Sequence, residues 1–392
     1  MKIRHIVILS LIIASSLPVN AQSDDFQSII STILANNPDM LSRQELVMAQ
    51  KAEFADDNAL ENPEIEVSPL WGKAGRKLEM SVSQAFDWPG AYAMRSKAAD
   101  AAVTAAELMA QSAAIDLRTD ARLKLTELVY VRQQIALQEQ LQDNIRRMSL
   151  AIDSGYRSGI MTLLDKKKID MEAYKLSATI AELYTRREAL SAQIQSLCPS
   201  QTLDLADISD YPPQPLLTAD EYVSIASAND PLMSAFFYTA RSEELNARAA
   251  SRSRMPGFSL GYRFVRELGD NFQGFAVSMS LPFFKGRHAK TAALARGNSA
   301  RLSSQMLAAQ RSAEISSSLA SISTWQRQIQ SYNTVFGDGA YLRLMKMAYD
   351  GGEINLLDYL NEVNYYSEAS TAYLAALYAY NSTLSTLNRF NP

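Results

Sequence analysis

The feature that most constrains this chain is written twice. Residues 156–167 read YRSGIMTLLDKK and residues 349–360 read YDGGEINLLDYL. Tyr156, Gly159, Leu163, Leu164 and Asp165 recur as Tyr349, Gly352, Leu356, Leu357 and Asp358, all displaced by 193 positions. Asn37-Pro38 and Asp230-Pro231 keep that displacement, as do Asn62-Pro63 and Met255-Pro256. LEMSVSQAFDWPG, 78–90, matches FAVSMSLPFFKG, 275–286, with a displacement of 196 to 197, so a few positions are inserted in the second copy. The chain is therefore a tandem duplication with a period of roughly 190 residues. The repeats are expected over 22–198 and 218–392, joined by a proline-rich linker over 199–217.

Helix breakers are unevenly placed. From Ala91 to Leu197 there is no proline, and glycine occurs only at 155 and 159; from Phe283 to Asn391 there is again no proline. These two stretches read as long helices, each broken once by the repeated turn, at 155–160 and at 349–354. Ile169, Ala173, Leu176, Ile180, Leu183, Leu190, Ile194 and Leu197 step by fours and threes with one seven, and Leu141, Ile145, Met148 and Ile152 do the same before the turn. That is a heptad seam, so each stretch is a long antiparallel helical hairpin. The 65 residues from Gly90 to Ser154 would span about 95 to 100 Å of helix.

Between the helices a period of two takes over. Ile65 and Val67 alternate with Glu64, Glu66 and Ser68; Leu78, Met80 and Val82 with Glu79, Ser81 and Ser83. In the second copy Phe258, Leu260, Tyr262 and Phe264 alternate with Ser259, Gly261 and Arg263, and Phe275, Val277, Met279 and Leu281 with Ala276, Ser278 and Ser280. Each copy thus carries a β-hairpin with one apolar and one polar face, about 63–88 and about 256–284. Pro63, Pro89, Pro256 and Pro282 fence the strands, as suits helix-to-strand junctions. Strands of about 8 to 11 residues cross a bilayer at a tilt. Four strands close no barrel and open edges cannot sit in lipid, so closure needs further copies of the chain. Trp71 near the outer turn, and Phe86, Trp88, Phe283 and Phe284 at the inner junctions, would form an interfacial girdle.

The remaining composition bounds the function. MKIRHIVILSLIIASSLPVNA reads as a secretory signal peptide over 1–21. Its removal lowers Lys+Arg from 38 to 36 against 42 Asp+Glu, a net charge of -6, which argues against a nucleic-acid partner. The single cysteine, Cys198, allows no internal disulfide and is expected to be a small packed residue at a helix end. After cleavage one histidine remains, His288, and no phosphate loop, CxxC or HExxH is present, so neither an enzyme, a cofactor nor a metal site is expected. The methionines, on helical stripes, are expected in the core. The run Asp165-Lys166-Lys167-Lys168 reads as a solvated helix face, and KGRHAK, 285–290, as a helix start open to solvent or to lipid headgroups.

The ordered set SVSQAFDWPG, PGFSLGYRF, SMSLPFFKGR, YRSGIMTLLD and YDGGEINLLDYL, duplicated, resembles the TolC-type outer membrane efflux proteins over essentially the whole mature chain. The resemblance implies a mainly helical fold with a small β part. Long helical hairpins would form a periplasmic tunnel, and four strands per chain would close a homotrimeric 12-stranded barrel in the outer membrane of a Gram-negative bacterium. It implies a passive duct for efflux or type I secretion, joined by a periplasmic adaptor to an inner-membrane pump. Tyr156, Gly159, Leu163 and Asp165, with Tyr349, Gly352, Leu356 and Asp358, would form the periplasmic tip and docking surface. At the reversal Gly permits a positive φ, Leu restarts the packing seam and Asp caps or charges the start of the returning helix. Asp358 matches an acidic aperture position of the family, whereas the next candidate, one turn on, is Asn361. A pore-less periplasmic coiled-coil scaffold or adaptor would share the heptads but place a compact β domain at the chain ends.

Overall fold

The computed structural model describes residues 21–73, 75–281, 286–337 and 340–391. The expected leader, apart from its last residue, and the junction residues Pro282, Phe283 and Phe284 lie outside the described residues. In chain order the elements are α1 (Ala21–Asn36), α2 (Pro38–Asp57), β1 (Glu64–Gly72), β2 (Gly75–Phe86), α3 (Pro89–Arg157) and α4 (Leu163–Ser196). The second copy follows as α5 (Ala219–Asn229), α6 (Pro231–Arg252), β3 (Gly257–Glu267), β4 (Asp270–Ser280), α7 (Ala289–Phe336), α8 (Tyr341–Asp350) and α9 (Leu356–Leu387). A 3₁₀ turn, Asn388–Phe390, follows α9. No helix of the described residues is long and apolar enough to cross a membrane.

The duplicated prolines explain where helices start. Asn37 accepts from the Asp39 and Met40 amides at 3.0 and 3.2 Å, and Asp230 from the Leu232 amide at 2.9 Å, each ahead of a proline in the first helical turn. Such a cap followed by proline starts a new helix, so the segment before each strand pair is two helices. Pro63 and Pro256 each stand one residue before a strand, and Pro89 opens α3. A difference from the sequence reading lies in the second copy. The expectation of one break per stretch fails there: α7 stops at Phe336 and α8 starts at Tyr341. A Cβ on Gly337 would lie 2.3 Å from the Asn333 carbonyl oxygen, so the chain leaves the helix at a residue with no room for a side chain.

The chain packs as two compact units, and each draws on both repeats. One comprises the described residues up to Ile33 with residues 121–214 and 332–381. Its core takes Leu141, Ile145, Met148 and Ile152 from α3, Ile169 and Leu176 from α4, Met345 from α8, and Leu356, Tyr359, Leu360 and Val363 from α9. Burial of side chains of this size stabilises by about 1.5 to 3 kcal/mol each. Ile180, Leu190 and Ile194 extend the α4 seam, and Cys198 is buried just past its end. The methionines divide, contrary to expectation: Met148 and Met345 are buried, Met171 and Met347 exposed.

The other unit comprises residues 34–120, 215–331 and 382 onward, and holds the sheet. Here the fully buried Asp230 carboxylate, besides capping α6, accepts from Arg311 Nε at 3.0 Å. Glu314 accepts two hydrogen bonds from Arg389, at 2.6 and 2.9 Å, and both guanidiniums lie over the Phe390 ring. Burial pushes the Glu314 carboxyl up, but Arg389 and Arg311 outweigh it and hold the group below its ordinary value.

Candidate functional site

Four antiparallel strands form one sheet in the order β1-β2-β3-β4. They are 9, 12, 11 and 11 residues long. Register fixes the faces, because directly paired residues project to the same side. One row is Ile65, Val82, Tyr262 and Phe275; the next row on that face is Val67, Met80, Phe264 and Gln273. Phe86, Phe258 and Met279 close this apolar face at its helix end, and Trp88 packs on Phe258 at 6.0 Å. The opposite face carries Glu66, Ser81 and Arg263 in one row, and Ala85, Ser259 and Ser278 in another.

Neither face is covered in the single chain. Phe275 is 85% exposed, Val277 75% and Trp71 78%, and β4 is exposed along its whole length. β1 and β4 are each paired on one side only. An apolar sheet face with two open edges is a surface that water does not tolerate, and the edges offer unpaired backbone donors and acceptors to another chain. A two-residue turn joins β3 and β4, and there Leu268 and Gly269 both take positive φ, 51° and 100°, as a type I′ turn requires.

The repeated motif lies in the other unit, and its purpose is visible in the backbone. Gly159 and Gly352 have φ 77° and 75°. The Gly159 amide donates to the Tyr156 carbonyl at 3.1 Å and the Ile160 amide to the Gly155 carbonyl at 2.8 Å. At the same displacement Gly352 donates to Tyr349 at 3.0 Å and Glu353 to Ala348 at 2.9 Å. This is a Schellman closure with glycine in the left-handed position. The helices run slightly further than expected, so the reversals occupy 158–162 and 351–355.

The returning helices are capped by residues the sequence reading missed. Thr162 Oγ1 accepts from the Asp165 amide at 3.1 Å while the Asp165 carboxylate accepts from the Thr162 amide at 3.2 Å, a capping box. Asn355 does the same work for α9, accepting from the Asp358 amide at 3.0 Å. Thr162 and Asn355 differ in type, which hid them, although they sit 193 apart. Hydrogen bonds from the Thr162 hydroxyl, then from its amide, hold Asp165 below the usual carboxylate range. The Asp358 side chain has no such bond among the described residues, and it and Asn361 are both exposed, three residues apart on α9.

The leucines do not behave alike. Leu356 is buried and restarts the seam, but Leu163 is 53% exposed, which corrects the expectation for the first copy. There Lys166 reaches back across the turn to bond Asp153, so the Lys166 to Lys168 run is only partly a solvated face. Tyr156 is exposed, whereas Tyr349 packs on the buried Tyr359 at 5.3 Å. Burial raises the Tyr349 phenol, and the nearby charges of Asp165 and Asp350 raise it further. Tyr359 accepts from Asn144 Nδ2 at 2.5 Å, binding α9 to α3. Among the described residues no group of His, Cys, Asp and Glu side chains is arranged to hold a metal ion.

No family model matches the sequence, and no curated protein matches it. The fold is nonetheless one seen before. A membrane protein from Pseudomonas aeruginosa aligns with TM-score 0.78 at 19% identity, over 95% of this chain and 90% of that one. The outer membrane protein VceC from Vibrio cholerae aligns with TM-score 0.75 at 16% identity, over 93% and 95%. The Campylobacter jejuni CmeC outer membrane channel aligns with TM-score 0.71 at 16% identity, over 94% and 85%. The chain has the fold of the TolC-type outer membrane channels.

Proposed function

We propose that this chain is an outer membrane export duct of a Gram-negative bacterium, passive itself and driven through partners. The observation that carries the reading is the sheet: four membrane-length strands, an exposed apolar face, a polar face opposite and two unpaired edges. Copies joined edge to edge, β4 of one to β1 of the next, satisfy every strand, turn the apolar face to lipid and leave the polar face on water. Three copies give 12 strands, the homotrimer that the likeness in fold suggests. The tip residues Tyr156, Gly159, Leu163, Asp165, Tyr349, Gly352, Leu356 and Asp358 then form the periplasmic end, where an adaptor linked to an inner-membrane pump docks. Asp358, with Asn361 one turn on, is the gate candidate, because its carboxylate is exposed and committed to no cap.

Planar-bilayer conductance of detergent-purified protein tests this, with mass measured in parallel and Asp358→Ala as comparison. A trimer with small cation-selective conductance that rises in the variant is expected. Unchanged conductance moves the gate away from Asp358; a monomer without conductance ends the duct reading. The pore-less scaffold would be washed from membranes by carbonate, and a closed barrel would stay.

A further inference from the structure

At the turn end of the apolar sheet face the residue types change. Trp71 and Arg76 are direct cross-strand partners, and Arg266 stands in the adjacent row with Pro69, Leu78 and Asn271. All lie on the side that carries Ile65, Val82 and Phe275, not on the polar side. Arg76 and Arg266 are diagonal neighbours across β2 and β3, about 7 to 8 Å apart by strand geometry. An open pocket of ≈ 780 Å³ lies here, with Trp71, Arg76, Arg266 and Leu268 in its wall. Leu268 is held over Gly75, where a Cβ would meet its Cδ2 at 2.9 Å. Both arginines are exposed, and among the described residues neither has an ion pair or hydrogen bond. Lys77, one residue on and facing the other way, is by contrast paired with Glu79 at 2.6 Å and Glu267 at 3.8 Å.

Two unpaired guanidiniums on the lipid side of a barrel need an explanation. Arginine on that face costs about 2 to 4 kcal/mol at the bilayer midplane and about 0 to 1 near the interface. Their place beside the turns and beside an exposed tryptophan puts them at headgroup depth, where tryptophan concentrates. What a planar guanidinium binds at that depth is phosphate, through two parallel N–H donors. We propose that Arg76 and Arg266, walled by Trp71 and Leu268, form a binding site for the phosphate of an anionic lipid headgroup in the leaflet around the hairpin turns. The inference rests on the barrel reading above. The site would anchor the barrel's depth and draw a shell of anionic lipid around it.

Native mass spectrometry of the detergent-solubilised full chain tests it, with phosphatidic acid, phosphatidylcholine or inorganic phosphate added. Mass and conductance are measured first, before any lipid. The expected result is phosphatidic acid retained about tenfold more than phosphatidylcholine, the scale of one charge-assisted contact. Arg76→Gln with Arg266→Gln should abolish the difference while the trimer and its conductance persist. Should that pair fail to assemble, Arg76→Lys with Arg266→Lys keeps the charge but loses the fork, and a reduced preference supports the site. Equal phosphatidic acid on wild type and either variant overturns it, and inorganic phosphate competing at equal affinity overturns the lipid as its source. A wild-type chain that is monomeric and non-conducting fails the barrel reading itself, and the first measurement reveals that.

Discussion

Tip one and tip two close their helices with the same hydrogen bonds at the same displacement, yet the side chains behind that backbone differ. Position 166 is a lysine bonded across the turn to Asp153, and position 359, its counterpart, is a tyrosine with 0% exposure. Position 153 is an acid and 346 a base, position 157 a base and 350 an acid. Lys346 therefore pairs within its own helix, with Asp350, and leaves the crossing contact to Tyr359, Tyr349 and Asn144. Residues 150–175 hold five bases and four acids, residues 343–368 two bases and five acids. Duplication preserved what the backbone needs and let the rest diverge. One tip is tied by an ion pair at its surface and the other by an aromatic core, so the two should differ in how they open.

The sharpest way to break this comparison is to truncate the paired positions. Tyr359→Ala should destabilise by about 3 to 5 kcal/mol, as removal of a large buried aromatic does. Lys166→Ala should cost less than about 1 kcal/mol, since it removes a partly exposed pair. Urea unfolding of both variants checks this, and equal losses would mean the aromatic core is not what distinguishes tip two. Tyr359→Phe should lose about 1 kcal/mol by leaving Asn144 without its acceptor.

The glycines test the shared part. Gly159→Ala and Gly352→Ala should each cost about 1 to 2 kcal/mol, because both take left-handed φ and open space around the Cβ adds no clash. Hydrogen exchange at the Ile160 and Glu353 amides should speed up alike. A large difference between them would show that the turns are alike only in form. Thr162→Ala and Asn355→Ala, which remove the caps, should each cost about 1 kcal/mol.

Much of this was legible in the sequence, for definable reasons. Glycine at a left-handed position and proline at a helix start have few substitutes, so Gly159, Gly352, Pro38 and Pro231 announced themselves by a common offset. Strand faces were legible because alternation leaves little freedom once one side is apolar. Caps were not, because threonine, asparagine and aspartate exchange freely in that role, and Thr162 resembles Asn355 only in what it bonds. Exposure of Leu163 was hidden for another reason: its copy, Leu356, has Tyr359 and Val363 beside it, and the first tip has Lys166 and Asp170 at those offsets. The break after Phe336 was missed because proline was taken as the breaker, when Gly337 suffices.

The smallest effect expected is a difference in acid response. The hydrogen bond from Lys166, then its charge, holds the Asp153 carboxyl below its ordinary value, and the Thr162 bonds do the same for Asp165. A depressed acid stabilises the fold above its unfolded value and loses that contribution as pH falls through the folded value. Tip one should therefore loosen as pH drops below about 4, the ordinary carboxylate value. Lys166 works in the opposite direction: its ammonium is held above its ordinary value by Asp153, so its contribution is present at neutral pH and fades only above about 10.4. Tip two is held by Tyr359, whose burial raises its phenol, so nothing in that contact titrates in acid. Amide exchange followed from pH 6 to pH 3, corrected for intrinsic rates, should show protection lost at Ile160 and Met161 before Glu353 and Ile354. Parallel loss at both tips would mean that the Asp153–Lys166 pair contributes nothing measurable, and that the difference between the tips lies wholly in the aromatic contact.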